Sequence, residues 1–250
     1  SKKNMSMAVG VYDVNSETPR MFFFGKISKD DTSKPNEYTV YEIGSITKTF
    51  TTTMLVMLER DGKLKINDPV QNYLPAGVTI HNFSSTAPVK LLHLATQTSG
   101  LPRLPSNLFT DAKTDQRNPY KNYTEEDLFT FVNNYIPEYE PGQKYLYSNT
   151  GMGLLGDLMV RASGKSYEEL LHYYLVDSLG MTMTSTKINA DMQKNLAKPH
   201  NEKGEPTLNW DFDAITGAGA IKSNMSDMIK YLAFQMGKTE KLEFIQGLRL

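Results

Sequence analysis

Two short alternating runs at the front of the chain, with helical periodicity behind them, constrain the fold more than any other feature. Met5, Met7, Val9 and Val11 alternate with smaller or polar residues, Asn15 to Pro19 is rich in turn formers, and Met21 to Ile27 is apolar and aromatic. That is the pattern of an antiparallel hairpin. A hairpin by itself is marginal in water, so more strands must join it. A third extended run, Tyr38 to Ile43, meets Gly44-Ser45 and gives way to helical spacing, with Ile46, Phe50, Met54, Met57 and Leu58 on one face and Gly62 as the stop.

From about residue 64 onward the periodicity is helical. Four more helices are predicted: Val89 to Thr96 after Pro88, Glu125 to Tyr135 capped by Thr124, Thr150 to Ser163 stopped by Gly164, and one opened by the capping box Ser166-Tyr167-Glu168-Glu169 and closed by Gly180. Phe109 to Tyr123 is polar and aperiodic and reads as a surface loop. Leu242 to Leu250 reads as the inside of a helix, and the natural chain is expected to continue past Leu250 and supply the missing strands. The fold class is therefore α+β: an antiparallel sheet flanked by helices, plus a mostly helical subdomain, with C-terminal strands absent from this chain. One domain over 1–250 is expected, with hairpin and first helix in 1–62, a mainly helical region in 63–215 and a return toward the sheet in 216–250.

Composition excludes several classes of function. Lys and Arg number 27 against 28 Asp and Glu, a formal net charge of -1, so no bulk field favours nucleic acid. Runs such as Met54 to Leu58 fall far short of the roughly 18 apolar residues of a membrane span. Cysteine is absent, which removes thiol nucleophiles, disulfides and cysteine-ligated zinc. The four histidines are scattered and His-Glu-x-x-His is missing, so neither a metal nor any other cofactor is expected. Gly-x-Ser-x-Gly is missing as well, and the two P-loop-like strings, Gly164-Lys165-Ser166 and Gly237-Lys238-Thr239, have Met159 and Leu232 where the first glycine is needed.

Serine chemistry survives these filters. Ser-x-x-Lys occurs once, as Ser45-Ile46-Thr47-Lys48, where the strand-like run becomes a helix. Residues three apart share a helix face, so the Lys48 ammonium can reach the Ser45 hydroxyl, and a helix start offers free N–H groups to an oxyanion. The competing use of Ser45 is as a helix cap, with Lys48 solvated. Tyr-x-Asn occurs twice. Tyr120-Lys121-Asn122 lies in the polar loop and reads as a solvated turn. Tyr147-Ser148-Asn149 follows Pro141-Gly142 and directly precedes an apolar helix, so its side chains are held against the core; its competing reading is a buried tyrosine with a helix-capping asparagine.

The pair Ser45-x-x-Lys48 and Tyr147-x-Asn149 resembles the class C β-lactamase family and its DD-peptidase and esterase relatives. So do Glu42 to Phe50, Asp61 to Leu64, Asp68-Pro69-Val70, Leu92 to Pro102 and Gly217-Ala218-Gly219. A phenol stands where the related class A motif has a serine hydroxyl. The resemblance implies β-lactam hydrolysis through a Ser45 acyl-enzyme, with DD-peptidase, D-aminopeptidase, esterase or a non-turnover penicillin sensor as alternatives. It implies Lys48 and Tyr147 as the activating groups and Asn149, Gly44 and His200 as substrate-binding residues. It also implies a small β-lactam or D-alanyl peptide as partner, a periplasmic or secreted monomer, and a part in antibiotic resistance. His200 has a competing reading as a surface histidine beside Pro199, and His93 reads as a satisfied core residue.

The family's third motif, Lys-Thr-Gly or a variant, is missing, and Lys238-Thr239-Glu240 reads as a helix-end turn. The resemblance places that motif, with the second oxyanion donor, on a later strand. Chemistry sets a further demand. Free lysine has a pKa of about 10.4, so a neutral Lys48 near pH 7 requires a shift of more than three units, about 4 to 5 kcal/mol. The alternative is a charged Lys48 beside a Tyr147 phenolate, the two titrating as a coupled pair.

Overall fold

The computed structural model describes residues 5–13, 15, 18–84, 87–110 and 114–238. In chain order the elements are strands β1 (Ser6–Val11), β2 (Arg20–Gly25) and β3 (Val40–Glu42), helices α1 (Thr47–Arg60), α2 (Leu91–Ala95), α3 (Glu125–Asn134), α4 (Asn149–Ser163) and α5 (Tyr167–Leu171), a π-helical turn His172–Val176, helices α6 (Asp177–Leu179) and α7 (Ala190–Lys194), strand β4 (Lys222–Asn224) and helix α8 (Met225–Gln235). They fall into two compact units. Unit 1 is drawn from 1–43, 171–209 and 221–250, and unit 2 from 44–170 and 210–220.

Unit 1 carries the strands. β1 and β2 pair antiparallel with Ser6 opposite Gly25 and Val11 opposite Arg20, as the alternating runs predict. Gly10 of β1 lies against α8: a Cβ there would come within 2.6 Å of Met225 Sδ and 2.8 Å of Ile229 Cδ1, so glycine lets the helix close onto the strand. β3 pairs with β4 in a second two-stranded sheet, Val40 opposite Asn224. The Asn224 side chain accepts from the Asp227 N–H at 2.8 Å and starts α8. Neither β4 nor α7 and α8 was readable as a periodic run. The proposed helix over Leu242 to Leu250 lies outside the described residues.

Unit 2 is helical. Along α1, Phe50, Met54, Met57 and Leu58 are fully buried, each worth about 1.5–3 kcal/mol in transfer from water. Ile46 departs from the expected face. It sits in a 3-10 turn, Gly44–Ile46, and is exposed. Thr124 and Asp127 form a capping box on α3, and the Ser166–Glu169 box forms as expected, with the Glu169 carboxylate accepting from Ser166 N–H and Oγ at 2.7 Å each. Gly164 and Gly180 end their helices at φ 69° and 65°. α2 is shorter than its periodicity suggests because Gln97 turns left-handed at φ 62°.

The most consequential packing is that of α4 against the turn 216–218. A Cβ on Gly153 would fall 2.3 Å from the Ile215 side chain and 2.5 Å from its Cα, and one on Gly217 would fall 2.8 Å from the Met152 carbonyl. Bare backbone on both sides makes the approach possible. Ile215 takes a left-handed φ of 50°, a costly conformation for a β-branched residue that the surrounding contacts must hold.

The segment Phe109 to Tyr123 corrects the surface-loop expectation. It forms no helix or strand among its described residues, but Asn118, Tyr120 and Tyr123 are buried. Tyr120 stacks on Phe212 at 4.7 Å and meets Trp210 edge-on at 5.3 Å. Asn118 exchanges two hydrogen bonds with Asp211, at 2.8 and 2.9 Å. Partners almost a hundred residues away bury these groups, which local polarity cannot reveal.

Candidate active site

Gly44, Ser45, Lys48, Tyr147, Asn149 and Ala218 belong to unit 2. Gly44 adopts φ 57°, a left-handed conformation that lets the chain turn abruptly from β3 into the 3-10 turn. Ser45 is exposed on that turn. It caps no helix: the N-cap of α1 is Ile46, which makes no side-chain cap. The capping alternative therefore fails on geometry.

Lys48, one turn on, is buried with only 7% of its surface exposed, so the solvated alternative fails too. Its Nζ donates to Ser45 Oγ at 3.2 Å and to the Ala218 carbonyl at 2.6 Å. The second contact depends on the close approach of the 216–218 turn, whose Gly217 carbonyl also accepts from Thr51 Oγ1 at 2.8 Å. The Gly217-Ala218-Gly219 string thus holds the lysine.

Tyr147 reaches the same oxygen from the other side, its hydroxyl donating to Ser45 Oγ at 2.8 Å. The backbone on either side is pinned by Gln97: its carbonyl accepts from Leu146 N–H at 2.8 Å and its side-chain Oε1 from Ser148 N–H at 2.5 Å. Ser148, not Asn149, caps α4, accepting from Gly151 N–H at 2.8 Å while donating to the Pro102 carbonyl at 2.7 Å. Asn149 is therefore not spent on the cap. Its N–H donates to the Arg103 carbonyl at 2.9 Å, its Oδ1 is buried without a partner, and its side chain interacts with the Tyr120 hydroxyl.

Electrostatics follow from this packing. Burial pushes the Lys48 ammonium below its usual range; contact with Tyr147 opposes the shift and the Arg103 charge adds to it. Burial pushes the Tyr147 phenol upward, but hydrogen bonds with Lys48 and Ser45 and the Lys48 and Arg103 charges outweigh it and leave the phenol below its usual value. Both groups move toward neutral pH, the condition a coupled base needs.

Three of the neighbours escaped the sequence. Tyr120, read as solvated, instead stands against Asn149. Gln97 carried no signal beyond its place in Leu92 to Pro102, and Arg103 none at all. His93 is half-buried and satisfied at the start of α2, its Nδ1 accepting from Lys90 N–H at 3.1 Å. His200 lies in unit 1, where it lines a groove of about 770 Å³ with Lys26, Lys29, Tyr41 and Lys198. Among the described residues no group of three or more His, Asp or Glu side chains is arranged to hold a metal ion. No helix among them is long and apolar enough to cross a membrane.

Comparison with known proteins places the chain in a family. The β-lactamase family model matches residues 5–248. The chain is 30% identical over 237 residues to a β-lactamase of Providencia stuartii, covering 93% of this chain and 55% of that protein. It is 31% identical over 226 residues to the D-alanyl-D-alanine-carboxypeptidase/endopeptidase AmpH of Escherichia coli K12, covering 90% and 56%. A solved β-lactamase/D-alanine carboxypeptidase from Yersinia pestis superposes with TM-score 0.80 at 31% identity over 92% of this chain and 62% of that one. A class C β-lactamase does so at 0.79 and 28%, over 97% and 63%. The chain belongs to the β-lactamase family and has its α+β, β-lactamase/transpeptidase-like fold. It spans about half the length of the curated relatives it matches.

Proposed function

We propose that the protein is a serine hydrolase acting through acylation of Ser45, with a β-lactam as its substrate and class C-like hydrolysis as its reaction. The observation that carries this is the convergence of Lys48 Nζ and Tyr147 OH on one exposed serine oxygen, at 3.2 and 2.8 Å. A serine hydroxyl needs a base at that distance to become nucleophilic. Ser45 Oγ attacks the carbonyl carbon and its proton passes to the Lys48–Tyr147 pair. Collapse of the tetrahedral adduct breaks the C–N bond, and the pair returns the proton to the leaving nitrogen. Water then attacks the ester by the reverse proton path and frees Ser45. Asn149, beside Tyr147 at the start of α4, orients the acyl amide of the substrate, and Gly44 gives the attacking serine its open approach.

A second reading, D-alanyl peptide cleavage, is favoured by the similarity to AmpH. These activities differ in how fast water resolves the acyl-enzyme and in the shape of the pocket, the sensor being the case without turnover. In either case the chain acts as one serine β-lactamase-like domain, monomeric and periplasmic or secreted. Parallel assays of a chromogenic β-lactam, a D-Ala-D-Ala peptide and a p-nitrophenyl ester decide among them. Turnover of the β-lactam that Ser45→Ala abolishes supports the main reading; peptide cleavage with only a long-lived β-lactam adduct would replace it with the second.

A further inference from the structure

Two cations lie against the ring of Tyr147, and only one has been given a part. Lys48 Nζ stands 4.8 Å from the ring centroid and the Arg103 guanidinium carbon 5.1 Å from it. The segment that carries Arg103 is tied to the residues just after Tyr147. The Pro102 carbonyl accepts from Ser148 Oγ, and the Arg103 carbonyl from Asn149 N–H. Two hydrogen bonds thus tie the backbone around Arg103 to that just after Tyr147. Arg103 is exposed, and its side chain forms no salt bridge among the described residues.

The groups facing Tyr147 are Lys48 from α1, Arg103 from the segment after α2, the Ser45 hydroxyl, and the Tyr120 phenol. Among the described residues no carboxylate acts on Tyr147. A cation over an aromatic face is attracted to its negative quadrupole, and a phenolate ring attracts it more strongly than a phenol. Arg keeps its charge at any accessible pH, and its flat guanidinium stacks where a lysine ammonium cannot.

We propose that Arg103 is a positioning residue for acylation of Ser45: its guanidinium, over the ring of Tyr147, holds that ring toward Ser45 Oγ and favours the phenolate as proton acceptor. The inference rests on the acyl-enzyme reading given above. Both pKa directions agree with it, since the Arg103 charge acts to lower Tyr147 and Lys48 alike. An arginine serving only as packing would stabilise the segment without changing where Tyr147 titrates.

The test uses protein labelled with 13Cζ-tyrosine, with the Tyr147 resonance identified by its loss in Tyr147→Phe. Arg103→Met is expected to raise the Tyr147 midpoint by about half to one pH unit, and Arg103→Lys to restore part of the shift. The acid limb of β-lactam acylation should move upward by the same interval, so the variant is about 3- to 10-fold slow below the limb and near parent on the plateau. Coincident titrations of parent and Arg103→Met, or a rate lowered equally at every pH, would overturn the proposal. A midpoint that moves in a protein that never acylates Ser45 would overturn the acyl-enzyme reading instead, and with it the part of Arg103 in that step.

Discussion

Replacing Asp157 by asparagine should stabilise the protein at neutral pH, by an amount that grows with pH. Asp157 sits in α4, the helix that begins at Asn149, and its Oδ2 is buried without a hydrogen-bond partner. Burial, followed by the charges of Glu125 and Asp213, raises its pKa from 3.8 to about 8, with Arg161 opposing. In the folded protein at pH 7 the carboxyl is protonated; in the unfolded chain it is ionised. A carboxyl raised in this way contributes most to stability below pH 3.8, and its contribution declines up to about pH 8 as the unfolded chain releases the proton first. At about 1.36 kcal/mol per pH unit, the interval from 3.8 to 7 corresponds to a cost of about 4 kcal/mol at pH 7, and to less than half of that at pH 5. Asparagine matches the neutral carboxyl in shape and has no proton to lose. Denaturant unfolding of parent and Asp157→Asn at pH 4, 5.5, 7 and 8 therefore should give a difference near zero at the acid end that widens in favour of the variant. A difference independent of pH, or a variant less stable at pH 7, would refute the reasoning.

Gly153→Ala should destabilise by about 1–3 kcal/mol through overpacking against Ile215, and should also loosen the Ala218 carbonyl from Lys48, so thermal melting and acylation rate fall together. Ser148→Ala removes the α4 cap and leaves the Pro102 carbonyl short of a donor, at a cost of about 1–2 kcal/mol in unfolding free energy. Gly62→Ala, at φ 69° with open space around it, should cost only about 1 kcal/mol and leave acylation unchanged.

The parts of the fold that were legible in the sequence are those whose causes are local. The front hairpin follows from alternation, α3 from its Thr124 cap, α5 from its capping box, and the ends of α1 and α4 from Gly62 and Gly164. The contact of Lys48 with Ser45 was legible because residues three apart share a helix face, whereas Tyr147 was singled out by the family resemblance, its Pro-Gly approach alone leaving a buried tyrosine as the alternative. What stayed hidden depends on distant partners. Tyr120 belongs to a polar segment, yet Phe212 and Trp210 bury it. The left-handed turn at Gln97 has no glycine to announce it, and it is the hydrogen bonds to Leu146 and Ser148 that give it a purpose. The role of Ala218 is carried by a backbone carbonyl, which no residue type encodes. Ser148, to which the sequence assigned no duty, takes the cap that the competing reading gave to Asn149, and the Pro102 carbonyl fixes its hydroxyl there.

The central claim is that Ser45 is built to be acylated, with Lys48 and Tyr147 sharing its proton. The direct measurement is intact mass after brief incubation with a β-lactam, followed by peptide mapping of the adduct. The account predicts a single acyl addition on the peptide containing Ser45, absent from Ser45→Ala and much slower to form in Lys48→Met and Tyr147→Phe. An adduct on another residue, or acylation that proceeds unchanged in Ser45→Ala, would contradict it.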